Sequence, residues 1–288
     1  YRTDEKGDYV MDTATCRGAF SNKILQEAKK DRDIIVVCTD SRGSASLGSY
    51  PEEVPEQMVE MGIAEQNAVT VSAGMAAMGK KVYAIGPASF YSMRSAEQVK
   101  VDVAYSHNDV KIIGISGGIS YGALGATHHS VQDIALMRAI PDLIVEVPSD
   151  ATQMEGLVDE FLKTKAPAYV RIGRGGVPVL YPKGTKVEIG KAVKWGDGKD
   201  IALIACGQMV WRALEAAKIL EKEGIYATVL DMHTIKPMDE EAVLKAANEC
   251  GGIMTIEEHS IYGGLGGAVA ELLSAKKPVM LERIGLPD

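Results

Sequence analysis

Met61-Gly62-Ile63-Ala64-Glu65-Gln66-Asn67 opens a run of small, apolar residues over 68–79. The run offers almost no charge to solvent, so it predicts a helix buried on most sides. A carboxylate at the edge of such a helix is costly unless it is paired or has a task. Glu65 therefore has two readings. It either caps the free backbone N–H groups of the first turn or serves as a reactive group.

Working outward, apolar runs of strand length alternate with helical patterns on both sides, which is the signature of β-α-β units and a parallel sheet. A helix over about 14–30 leads into a strand over 34–38. A strand over 80–85 follows the 68–79 helix. A helix over 95–106, a buried strand over 110–115, a helix over 134–139 and a strand over 143–147 come next. Asp150 or Ser149 can cap a helix over 151–163, which leads to a strand over 168–172. One doubly wound layer is complete by about residue 175. The stretch 173–186, rich in Gly and Pro, reads as a linker. The pattern then restarts. It gives a hairpin over 187–189 and 191–195, strands over 201–206, 227–231, 252–256 and 278–281, and helices over 210–223, 240–249 and 266–273. The fold class is α/β, with two doubly wound domains. The first has a mostly parallel sheet and the second is smaller.

The formal net charge of −8 argues against general nucleic-acid binding. No run of about 18 apolar residues occurs, so no membrane span is expected. The four cysteines, Cys16, Cys38, Cys206 and Cys250, form no CxxC pair. They read as reduced thiols of a cytoplasmic protein, with a zinc site or disulfide framework disfavoured. The glycine cluster 263–267 precedes a helix and can receive an anion on free N–H groups. A glycine-rich loop from Gly122 to His129 comes after the 110–115 strand, where open α/β sheets place ligands. His128 there is a candidate for proton transfer or ligand contact, or it caps the following helix. Arg17, Arg94, Arg171 and Arg174 fall near element ends. There they suit a phosphorylated or carboxylated small molecule, or remain solvated.

The stretches 61–67, 121–130 and 141–150 resemble the pyrimidine-binding domain of transketolase-like thiamine enzymes. The stretches 231–239 and 255–267 resemble the C-terminal domain of the same group. The likeness spans essentially the whole chain, divides it into 1–178 and 179–288, and is nearest to the C-terminal subunit of a split transketolase. It implies that Glu65 hydrogen-bonds the pyrimidine ring of thiamine diphosphate and so promotes formation of the ylide. The ylide passes a two-carbon ketol unit from a ketose to an aldose. It also implies that His128 lies near the reactive carbon, that Asp40 lies near the thiazolium and the subunit interface, and that Tyr91 and Arg94 flank the pyrimidine. Arg17, Ser44 and Arg174 match positions that bind the phosphate end of the sugar.

Departures from the family pattern concern the substrate. Leu124 stands where transketolases have an Asp that reads a hydroxyl, and Ser116 where they have a His. Ala88 and Arg94 replace two aromatic positions. A sulfonated, deoxy or branched ketose is therefore admitted beside the usual pentose phosphates. Gly196-Asp197-Gly198 resembles the start of the magnesium–diphosphate motif. However, no Asn lies between Asp197 and Asn248 to complete it, so a tight turn is the ordinary explanation. The resemblance thus assigns magnesium and the diphosphate to a separate N-terminal subunit in an α2β2-type assembly, with no metal ligand on this chain. Two further readings stay open: the beta subunit of a 2-oxo-acid dehydrogenase, and a regulatory subunit that only binds its partner.

Overall fold

The computed structural model describes residues 2–3, 9–10 and 12–288. Among them, seven strands form one sheet in the order Thr234–Lys236, Ile144–Glu146, Ala168–Arg171, Val110–Ile115, Lys81–Pro87, Ile34–Cys38, Met58–Glu60. All neighbours run parallel except the first pair. The central strands Ile34–Cys38 and Val110–Ile115 are buried at every position, as parallel strands covered on both faces must be. A second sheet of five strands runs Val193–Trp195, Ala227–Asp231, Ile201–Ala205, Ile253–Ser260, Leu281–Leu286, and is parallel apart from its first pair.

Caps fix the helices locally. Thr15 accepts from the Gly18 N–H at 3.2 Å and starts the helix Cys16–Ala28. Asp150, not Ser149, caps Ala151–Phe161 by accepting from the Gln153 N–H at 2.7 Å. Its other carboxylate oxygen accepts from the N–H groups of Leu180 and Tyr181 at 2.6 and 3.0 Å.

Four expectations are corrected. The 187–189 half of the hairpin is not a strand, and Val193–Trp195 pairs instead with Ala227–Asp231. The 173–186 stretch is pinned rather than free. Its Val177–Pro178 pairs with Thr13–Ala14, and Tyr181 donates to the buried Asp231 at 2.6 Å. The helix Glu65–Ala77 buries Glu65, Ala68, Val69, Ser72 and Ala73 but exposes Gln66, Asn67, Thr70 and Gly74, so one face lies open. The anion site over 263–267 is already filled by the chain itself. The Glu257 carboxylate takes the N–H groups of Leu265 and Gly266 at 2.7 and 2.8 Å.

The two domains also share a sheet. Thr234–Lys236, far along the chain, supplies the edge strand beside Ile144–Glu146. Val147 donates to the His233 carbonyl at 2.7 Å, and Gly207 donates to the Val147 carbonyl at 2.9 Å. The His233 imidazole is buried 3.0 Å from Glu146, whose other oxygen accepts from the Thr234 hydroxyl at 2.8 Å. The described cysteines are free thiols, and among the described residues no helix is long and apolar enough to cross a membrane.

Candidate active site

The sheet gathers the candidate residues at one end. Asp40 follows Ile34–Cys38, and Glu65 comes soon after Met58–Glu60. The helix Ala88–Met93 follows Lys81–Pro87, Ser116 follows Val110–Ile115, and Arg174 comes shortly after Ala168–Arg171. These are the carboxyl ends of parallel strands, where α/β sheets open a crevice. Two of these residues turn the backbone at positive φ, Asp40 at 51° and Ser116 at 58°, as sharp exits from strands require. The Glu60 carboxylate ties two exits together, accepting from the N–H groups of Asp40 at 2.7 Å and Gly62 at 3.0 Å.

Glu65 occupies the first position of its helix, yet its side chain makes no cap there. It is 4% exposed, and Arg94 Nη1 lies 3.4 and 3.2 Å from its two oxygens. These long contacts leave acceptor capacity on a desolvated carboxylate. From Arg94 a row of side chains continues. The Arg94 guanidinium lies 4.1 Å from the centre of the Phe90 ring. Phe90 and Tyr121 each meet the His128 ring edge-on at 5.3 Å. Arg174 then sits 5.0 Å from the centre of the Tyr121 ring.

Thr127 orients the imidazole. Its hydroxyl donates to the Leu124 carbonyl at 3.3 Å, and its oxygen lies 2.9 Å from His128 Nδ1. That contact engages Nδ1 and leaves Nε2 for a ligand. Arg17 and Ser44 also meet, through Arg17 Nη1 donating to the Ser44 carbonyl at 2.7 Å, while the buried Arg17 Nε has no partner. An unspent buried donor on a guanidinium suits an anionic ligand atom.

Tyr91, expected beside the cofactor, lies on the inner face of its helix. It is fully buried against Gly86, where an added Cβ would fall 2.5 Å from its ring. The phase of the short helix sorts these side chains. Ala88, Ser89, Tyr91 and Ser92 form its inner face, so Phe90 and Arg94, four apart, share the outer one. Neither Phe90 nor Tyr121 is marked as a site residue by the sequence reading; the i, i+4 spacing with Arg94 is the signal available for Phe90. Ser116 is buried with an unpartnered hydroxyl, whereas Leu124 is 52% exposed on the loop. Asp197, in the sequence that resembles a metal motif, is an exposed turn residue paired with Lys194 at 2.8 Å. Among the described residues no group of three His, Cys, Asp or Glu is placed to hold a metal ion.

Residues 12–179 match the family model for the transketolase pyrimidine binding domain, and 190–288 match that for the transketolase C-terminal domain. The chain is 52% identical over 274 residues to one of the subunits of an apulose-4-phosphate transketolase from Phocaeicola vulgatus, covering 95% of this chain and 88% of that protein. It is 37% identical over 272 residues to a subunit of a 6-deoxy-6-sulfo-D-fructose transketolase from a Clostridium species, covering 94% and 84%. A solved split-gene transketolase, described as an inactive beta4 tetramer, superposes with a TM-score of 0.89 at 36% identity, covering 96% of this chain and 91% of that one. Both domains and their order agree with these likenesses, and the protein belongs to the transketolase family of enzymes, resembling the C-terminal subunit of its split members.

Proposed function

We propose that this chain is the C-terminal subunit of a split, thiamine diphosphate-dependent transketolase that moves a two-carbon ketol unit from a ketose to an aldose. The observation that carries the reading is Glu65. It is a buried carboxylate at the head of a helix it does not cap, with only long contacts to Arg94, at the carboxyl end of a parallel sheet. When bound, the cofactor supplies the electron sink for carbon–carbon cleavage and formation. Glu65 would hold the pyrimidine ring by sharing a proton with a ring nitrogen, with the Phe90 ring and Arg94 beside it. His128, with Nδ1 engaged by Thr127, takes or returns a proton at a substrate oxygen through Nε2. Arg17, with its free Nε, and the exposed Arg174 hold the anionic end of the sugar.

Magnesium and the diphosphate are assigned to a partner N-terminal subunit in an α2β2 assembly, a reading supported by the likeness to a subunit of a split transketolase. The open face of the Glu65–Ala77 helix, flanked by exposed Ile63 and Met78, suits such a partner. Domain limits of 1–178 and 179–288 complete the reading. The substrate is best sought among non-standard ketoses. Leu124 places an exposed aliphatic chain on the His128 loop, and the names of two relatives specify apulose-4-phosphate and 6-deoxy-6-sulfo-D-fructose.

Co-expression with the partner subunit, followed by assays on a panel of branched, sulfonated and ordinary ketose phosphates, tests the activity. Ketol transfer that requires both subunits, magnesium and thiamine diphosphate supports it. Equilibrium dialysis tests the division of labour. Tight retention of the cofactor with magnesium by this chain alone would sink the split-site reading.

A further inference from the structure

The loop that carries His128 is attached to the second domain by both legs. Its base is closed by two backbone hydrogen bonds of 2.8 Å between Gly118 and Ser130. On the outgoing leg the Ile119 N–H donates to Glu258 Oε1 at 3.0 Å. On the returning leg the Val131 carbonyl accepts from the Ser260 N–H at 2.8 Å. Glu258 and Ser260 end the strand Ile253–Ser260 of the second sheet and, two residues apart, share a face. Glu258 is itself held: Gln208 Nε2 donates to its second carboxylate oxygen, and Arg171 Nη2 donates to its carbonyl at 2.5 Å. Arg171 is buried and lies 3.4 Å from Asp133.

The two glycines at the root of the loop make this approach feasible. A Cβ on Gly118 would fall 2.4 Å from Glu258 Cδ, and one on Gly117 would fall 2.2 Å from Arg171 Nε. Within the loop Gly122 and Gly125 take positive φ, at 56° and 71°, and local bonds such as that of His129 Nε2 with the Gly122 carbonyl at 3.0 Å shape its tip. The ties at its base set how the loop sits on the second domain, and among the described residues Glu258 supplies the bond there whose acceptor is a carboxylate.

We propose that Glu258 is a positioning residue of the second domain. Its carboxylate fixes the loop so that the His128 ring stays between Phe90 and Tyr121. The inference rests on the ketol-transfer reading of the site.

The test compares Glu258→Ala and Glu258→Gln by hydrogen exchange on the chain and by kinetics after assembly with the partner subunit. Glu258→Ala is expected to speed amide exchange over 119–130 by about tenfold. It is expected to lower kcat on the order of 10²-fold, as a displacement of about 1 Å does, with a smaller change in KM. Glu258→Gln, which keeps an acceptor for the Ile119 N–H, restores most of both. In a His128→Ala background the kcat loss from Glu258→Ala should vanish. Unchanged exchange over 119–130, or an equal loss without His128, overturns the proposal. If the wild-type complex transfers no ketol unit, the activity reading fails, and the exchange experiment alone decides whether Glu258 holds the loop. If Glu258→Ala does not fold, Gln208→Ala carries the same comparison: faster exchange supports the tie and unchanged exchange overturns it.

Discussion

Arg94 lies 3.2 Å from one oxygen of Glu65 and 3.4 Å from the other, and it is half exposed while Glu65 is buried. The carboxylate thus has its charge partner on the solvent side, where a ligand would arrive, and none from the core among the described residues. Glu65→Gln keeps the volume and removes the charge. It should leave the circular dichroism spectrum unchanged and reduce ketol transfer by about 10²- to 10⁴-fold. Full activity in that variant would end the catalytic assignment.

Neighbouring aromatics should separate cleanly. Tyr91→Ala empties a fully buried ring site and should cost about 3–5 kcal/mol in urea unfolding. Phe90→Ala, on the half-buried outer face, should cost about 1 kcal/mol or less in stability and weaken cofactor retention by the assembled enzyme. The opposite ranking in stability would reassign the two rings.

Asp150 combines three backbone bonds on one buried carboxylate: the cap to Gln153 and the ties to Leu180 and Tyr181. Asp150→Ala should destabilise the chain by about 2–4 kcal/mol, because a lost cap is joined by orphaned N–H groups. Proteolysis within 173–186 should accelerate in the same variant. A loss of well under about 1 kcal/mol would show that water replaces the carboxylate.

The interdomain pair His233–Glu146 makes stability depend on pH. Burial opposes protonation of His233, but the hydrogen bond and charge of Glu146 outweigh it and raise the imidazole above its ordinary value of 6.5. A raised pKa means that the folded state binds the proton more tightly than the unfolded one. The stabilisation is therefore complete below 6.5 and is lost as pH rises through the folded value. Thermal unfolding midpoints should fall as the pH is raised from below 6.5 into the alkaline range, and His233→Gln should flatten that slope. A slope unchanged by His233→Gln would assign it to other groups.

Much of this molecule could be read from sequence periodicity. The strands Ile34–Cys38, Val110–Ile115 and Ala227–Asp231 fall where their apolar runs do, because fully buried parallel strands leave no alternation to blur their ends. A cap at Asp150 or Ser149 is legible from their place before a periodic run, and the structure selects Asp150. The His128 loop is legible as a loop at the carboxyl end of a central strand, which is where it lies. Three features are not legible, for separate reasons. Tyr91 and Phe90 are adjacent, and only the helix phase decides which ring faces the core. Met58–Glu60 is short and half exposed, too weak a signal against the loops around it. Thr234–Lys236 pairs with a strand far back in the chain, Thr234 and Glu146 being 88 residues apart, and no local pattern announces such a partner.

That last strand has a consequence for how the molecule can be divided. Cutting at the Gly- and Pro-rich stretch over 173–186, which looks like a natural place to separate two units, would strip the first sheet of its border. The exposed row of amides and carbonyls on Ile144–Glu146 would then invite pairing with another molecule. An isolated first unit should accordingly be prone to aggregation. Any swap of the second unit between relatives must carry Thr234–Lys236 in matching register, because that short segment is the seam along which the two folds are stitched.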